Sequence, residues 1–303
     1  MKLKHKIISW SLEFSNMKKL IVLCVLSVGL YSCQKDIEVN LPDYKEKLVI
    51  EASIEVGQPA QVFLSVTAPY FGTVGFDDPT KFFVKGAFVT VTDGSQIDTL
   101  KEVQPGTGYF YLGSKVFGQV GSAYVLTVDV NSTTYTAITH IVNPIALDSI
   151  YFKGEVSDTL GYMWAHLSEP SGFGNYYRWF SKRITRDKFY GAPFNSAFDD
   201  KFIDGKGFEF SYERPAQPNQ QQADDDDEQR GLYTVGDTVI VKFCTIGRDE
   251  YQFWRSYYSN QTSNGNPFSA PTNIKSTISG GDAIGAFCGY SPSFDTLIIK
   301  KKP

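Results

Sequence analysis

The stretch Gly86-Ala-Phe-Val-Thr-Val-Thr-Asp-Gly94 decides the fold class. Ala87, Val89 and Val91 alternate with Phe88, Thr90 and Thr92, the two-residue period that sends successive side chains to opposite faces of a pleated strand. Asp93-Gly94 then closes the run, because glycine supplies the positive φ of a hairpin without a steric cost. The same signature recurs on both sides. Upstream, "KLVIEASIEVG" from Lys47 and "AQVFLSVTAPY" from Ala60 alternate in part. Downstream, "GTGYFYL" from Gly106, "SAYVLTVDV" from Ser122 and "TTYTAITHIV" from Thr133 follow at the spacing of a sandwich. A first domain is expected over residues 47–144.

Past Asn143-Pro144 further strands are expected in "DSIYFKGEV", "TLGYMWAHLSEP" and "GNYYRWFSKRITRD", and in "GLYTVGDTVIVKFCTIG" with a turn at Gly236-Asp237. "AIGAFCGY" and "FDTLIIK" read as two final strands. Tyr251, Phe253, Trp254, Tyr257 and Tyr258 recur three to four apart and predict one amphipathic helix. The expected architecture is therefore mainly β: an N-terminal sandwich followed by a β-rich domain over 145–303 with one short helix and an acidic loop at 217–230. The order of Gly86–Gly94, Gly108-Tyr109, Gly118 and Tyr124-Val-Leu resembles the small immunoglobulin- and transthyretin-like sandwiches of extracellular proteins. Such modules dock to partners more often than they catalyse.

Ahead of these strands, Lys18 and Lys19 precede an apolar run from Leu20 to Leu30. That is the basic start and short apolar core of a secretory signal, whereas a membrane-spanning helix needs about 20 apolar residues. A complete signal begins at Met17, so residues 1–16 are expected to be a start-site artefact, and residues 1–32 to be removed. Leu30-Tyr31-Ser32-Cys33 resembles the lipobox of bacterial lipoproteins, which implies that Cys33 is acylated and becomes the first residue of a tether over 33–46. At about 0.8 kcal/mol per buried methylene, several acyl chains hold a protein in a bilayer where one would not. Lys35, Asp36 and Glu38 resemble the export signal of Bacteroidota surface lipoproteins, with Ile37 interrupting the acidic pair.

Removing residues 1–32 takes away Lys2, Lys4, Lys6, Lys18, Lys19 and Glu13, which lowers 29 basic and 33 acidic residues to 24 and 32 and leaves a net charge near −8. That balance disfavours a nucleic acid partner.

The lipobox, the sandwich, Asn175-Tyr-Tyr-Arg178, Pro267-Phe268, Pro271-Thr-Asn-Ile274, Gly280-Gly281 and Gly285-Ala-Phe287 together resemble the Bacteroidota lipoprotein family catalogued as domain-of-unknown-function family 4249. The resemblance implies a secreted lipoprotein, and members are often encoded beside TonB-dependent outer-membrane transporters.

Motifs for chemistry are sparse. His140 and His166 alone remain in the mature chain, in strand-like segments, and neither sits in a pattern that would move a proton for a nucleophile. No zinc spacing or phosphate loop occurs. Cys244 and Cys288 would form one bridge in an oxidising compartment or stay as two buried thiols; both readings are open. Asp224, Asp225, Asp226, Asp227 and Glu228 repel one another unless a cation such as calcium sits among them, but the glycine turn of an EF-hand is missing, and a solvated loop is preferred. Tyr176, Tyr177, Trp179 and Trp254, with Phe180, Tyr257 and Tyr258, are candidates for a ligand platform on which flat groups stack, against the alternative of core packing. Asp98-Thr99-Leu100, Asp148-Ser149-Ile150, Asp158-Thr159-Leu160, Asp237-Thr238-Val239 and Asp295-Thr296-Leu297 resemble the O-glycosylation acceptor of Bacteroidota.

The function expected from these features is non-enzymatic. The chain reads as a surface-exposed outer-membrane lipoprotein that captures ligand for, or stabilises, a TonB-dependent transporter. The alternative is a structural or assembly factor of the envelope that binds other proteins.

Overall fold

The computed structural model describes residues 45–68, 79–104, 109–217, 231–263 and 273–301. Alternating β-branched, aromatic and polar residues form strands wherever turn residues leave room for a run. In chain order they are β1 (Leu48–Glu55), β2 (Pro59–Val66), β3 (Phe88–Thr92), β4 (Ile97–Thr99), β5 (Lys101–Glu102), β6 (Tyr111–Phe117), β7 (Ala123–Val130), β8 (Thr133–His140), β9 (Ser149–Ser157) and β10 (Leu160–Ser168). They continue as β11 (Tyr176–Arg183), β12 (Ala197–Asp199), β13 (Gly207–Tyr212), β14 (Tyr233–Thr234), β15 (Thr238–Ile246), the helix α1 (Arg248–Ser263) and β16 (Ala283–Ile298). Gly94 and Gly236 stand at φ 88° and 98° in the turns expected of them.

One strand departs from the sequence reading. "AIGAFCGY" and "FDTLIIK" are a single strand, β16, of 16 residues. Its residues Ala283 to Tyr290 pair in parallel with β1, and Ser291 to Ile298 pair antiparallel with β15. Pro292 has no N–H to give to a ladder, and it stands just past the end of β1, where no strand asks for one.

This hand-over makes one eight-stranded sheet in the order β12-β11-β15-β16-β1-β2-β6-β5. The sheet β4-β3-β7-β8 packs on one half of it, burying Ile50, Ile54, Val62, Val91, Leu126 and Phe287. The sheet β13-β10-β14, with β9 paired to β10, packs on the other half and buries Met163, Leu167, Tyr177, Trp179, Phe210 and Phe243. Each fully buried large side chain contributes roughly 1.5–3 kcal/mol. The division at 144/145 thus separates neither the sheets nor the cores, since β16 lies in the long sheet and its Ala283 and Phe287 complete the first core.

Helix α1 covers the opposite face of the long sheet. Tyr251, Phe253, Trp254 and Tyr258 form its buried stripe and meet Cys244, Ile246, Ala286, Cys288 and Tyr290. Two glycines of the C-terminal motifs have a packing reason: a Cβ on Gly280 (φ 102°) would run into the carbonyl of Thr134, and one on Gly285 (φ 152°) into the carbonyl of Ile50. Gly285 therefore sets how closely β16 can approach β1.

Candidate functional site

The strand β11 sorts the candidate residues by parity. Tyr177, Trp179, Ser181 and Arg183 are buried on the face toward the second core, while Tyr176, Arg178, Phe180 and Lys182 point to the helix side. The platform expected of Tyr176, Tyr177, Trp179 and Trp254 does not form. Tyr177 and Trp179 are 0% exposed inside the second core, and Trp254 lies on the other side of the sheet beneath α1. Tyr176 is spent on Tyr251, ring centroids 5.0 Å apart and 28° from parallel. The two-residue period of a strand separates neighbours that look adjacent in the chain.

What the helix-side face builds instead is a caged cation. Arg178 is 5% exposed, with its guanidinium carbon 3.3 Å from the Trp254 ring centroid and 4.7 Å from that of Phe180. Its Nη1 donates to the Tyr290 hydroxyl at 2.5 Å, and its Nε has no hydrogen-bond partner. No carboxylate among the described residues pairs with it. Removing a guanidinium from water costs several kcal/mol, and each desolvated cation–π contact returns up to about 2. Burial works against the charge, yet Tyr290 first and then Tyr258, Cys288 and Glu51 outweigh it, so Arg178 is held above the ordinary arginine range.

One rung along, Lys242 repeats the arrangement in a wetter place. Its Nζ lies 4.6 Å from the Phe180 centroid and 5.2 Å from that of Tyr190, and donates to Glu55 Oε2 at 2.8 Å. Together these residues make a rigid, charged aromatic seam. None of them is a nucleophile facing a base.

The rest of the Asn175-Tyr-Tyr-Arg178 motif works on the second core. Asn175 Nδ2 and the Tyr177 hydroxyl donate to the two oxygens of the buried Glu169 at 2.8 and 2.5 Å. The Gly174 and Asn175 amides donate to Asp200 Oδ2 at 2.7 and 2.8 Å. Burial pushes the Tyr177 hydroxyl well above its ordinary range, and Glu169 adds to the shift.

Cys244 and Cys288 are free thiols and not a disulfide. Cys244 stands opposite Pro292 in the β15–β16 register, four residues along the strand from Cys288. That offset is about 13 Å, far beyond the Cα separation a bridge allows. Burial raises each thiol to about 12, where it is inert at neutral pH.

His166 Nδ1 lies 2.7 Å from Asp148 Oδ2 at the surface. Ser168, ahead of His166, holds that carboxyl below its ordinary range. Among the acceptor-like tripeptides, Thr99, Ser149, Thr159 and Thr296 are exposed and Thr238 half-buried. Asp98, however, is a structural group: its Oδ2 accepts the amides of Ser114, Lys115 and Val116 at 2.6, 2.6 and 3.1 Å.

Cys33, Lys35, Asp36 and Glu38 lie outside the described residues, as do Asp224 to Glu228 with the calcium reading placed on them. No group of three or more metal-ligating side chains occurs among the described residues. Sequence reasoning passed over Lys242, Tyr190 and Tyr290, whose role depends on strand register, and took Arg178 only as part of a motif.

A sequence profile for a domain of unknown function, DUF4249, matches residues 34–294. No curated protein matches the chain. A solved two-domain fibronectin type III segment of chicken tenascin is similar at 11% identity, covering 66% of this chain and 91% of the segment, with a TM-score of 0.20. At that score the likeness carries no argument, and the sandwich architecture rests on the strand order itself.

Proposed function

The chain belongs to the DUF4249 family, whose activity is open, and we propose that it is a lipid-anchored binding module of the outer membrane, displayed to the cell exterior. It works without catalysis, as a ligand-capturing or stabilising accessory of a TonB-dependent transporter. One observation carries the reading: the cysteine of Leu30-Tyr31-Ser32-Cys33 stands immediately before the family domain, which starts at residue 34. Acylation there would leave the whole folded unit outside the bilayer on a short tether, the placement of a module that meets its partner at a membrane surface. Lys35, Asp36 and Glu38 support outward display.

The test uses the full chain in the cells that make it. Acyl labelling and membrane retention are expected to disappear in Cys33→Ala, and protease added to intact cells is expected to shave the protein. Purification in mild detergent should then bring a TonB-dependent transporter with it. Co-purification with envelope assembly machinery alone would favour the structural reading, and protection from protease would overturn surface display.

A further inference from the structure

The helix-side face of the long sheet is covered by α1 only over part of its length. Register places Phe180, Lys242 and Phe294 in one row across β11, β15 and β16, Lys182, Ile240 and Thr296 in the next, and the end of β11 beside Thr238 and Ile298 in the last. Ile184, whose amide bonds to the Thr238 carbonyl, extends that last row. Beyond the helix this face stays open: Ile184 is 47% exposed, Phe294 52% and Ile298 58%, and Tyr190 leans on Phe294 at 6.1 Å. Three strands about 4.8 Å apart and rows about 6.6 Å apart give a face on the order of 300 Å², in which Phe180, Ile184, Ile240, Phe294 and Ile298 are the apolar positions beside two lysines and two threonines.

The charge around the patch is mainly basic, and Glu55 is an acid that reaches it, on Lys242 at 2.8 Å. Lys182 donates to the Lys188 carbonyl at 3.0 Å and meets no carboxylate among the described residues. The exposed Lys188, Lys300 and Lys301 form no ion pair among the described residues either, on a chain whose net charge is −4. Position also matters. The tether enters the fold at Leu48, level with Ala283, and Ile298 lies fifteen residues further along β16, about 50 Å away at 3.3 Å per residue. The patch is therefore at the far end of the sheet from the point where the chain enters it.

We propose that this face is the docking surface for a protein partner whose contact area has an apolar centre and an acidic rim. The patch supplies the dry centre, and the lysines supply the steering charge; a specific interface takes about 800 Å² per partner, so the 184–190 segment and the lysines make up the remainder.

The experiment places the photo-cross-linker benzoylphenylalanine at position 294 or 298 of the full-length chain in its own cells, with position 97 on β4 as the exposed control. Irradiation is expected to give one adduct with one other protein from 294 and 298 and none from 97. Ile298→Glu should reduce the adduct from 294 at least tenfold, and Lys182→Glu several-fold. Mass spectrometry should map the attached peptide to an apolar residue flanked by Asp or Glu. Changing those acids to lysine should restore the adduct with Lys182→Glu. An adduct with a second copy of this chain, with lipid, or with the chain's own residues 218–230 would overturn the proposal. So would equal labelling at position 97, no adduct, or failure of the charge reversal.

Discussion

Replacing Asp98 should unlock the first sandwich, and the size of the effect follows from its hydrogen bonds. Asp98 is 1% exposed on β4, and one oxygen receives three consecutive amides of β6 at 2.6, 2.6 and 3.1 Å. Asp98→Ala leaves three amides without an acceptor. Charge-assisted bonds are worth more than neutral ones, and an unmet buried donor costs about 1–3 kcal/mol; with some water entering beside the part-buried Ser114 and Lys115 amides, a loss of about 4 kcal/mol results. At about 2–4 °C per kcal/mol for a unit this large, the thermal midpoint should fall by roughly 10 °C. Asp98→Asn keeps an acceptor oxygen but loses the charge, and should cost about 1–2 kcal/mol. The pH dependence adds a second check. Burial would raise this carboxyl, but the Lys115, Val116 and Ser114 amides outweigh it and hold it below 3.8. A carboxyl lowered on folding adds stability that is complete above its unfolded value of 3.8 and is lost as the pH falls through the lower folded value. Urea melts of the detergent-purified protein should therefore show the gap between wild type and Asp98→Asn closing in acid. A loss under 1 kcal/mol for Asp98→Ala, or a gap that widens in acid, would refute the reasoning.

Three further outcomes are expected. Gly285→Ala should cost at least about 3 kcal/mol or prevent folding, because its Cβ meets the Ile50 carbonyl inside a parallel ladder; soluble yield and melting temperature read this. Glu250, buried and accepting from the Thr139 hydroxyl, is raised above 4.5 chiefly by burial, so its contribution is complete below 4.5 and is lost as the pH climbs through the raised value. The stability of Glu250→Gln relative to wild type should thus rise between acid and neutral pH in urea melts. Cys244 and Cys288 should react with a thiol reagent only on unfolding, and the intact mass should be the same with and without reductant; a two-dalton difference would restore the bridge.

Much of the fold was legible because it is written in period two. Gly86–Gly94 announces a strand and its turn, and the 251–258 stripe announces the one helix, since both patterns are local. The aromatic platform was misread for a physical reason. Tyr176 to Phe180 are consecutive letters, but a strand turns alternate ones to opposite faces, and which face holds a core depends on layers that come from elsewhere in the chain. Arg178 gave no sign of its cage, because Trp254 and Tyr290 reach it from 76 and 112 residues away.

The sequence by itself determined that this chain is mainly β, that its cysteine at 33 follows a lipobox-like signal, and which glycines and turn residues punctuate the strands. Tertiary structure alone decided that β16 joins both sandwiches in one sheet, that the thiols stay apart, and that Ile184, Phe294 and Ile298 share an open face. The reason is register. Local pattern fixes which way a side chain points along its own strand, but only long-range pairing fixes what it stands beside.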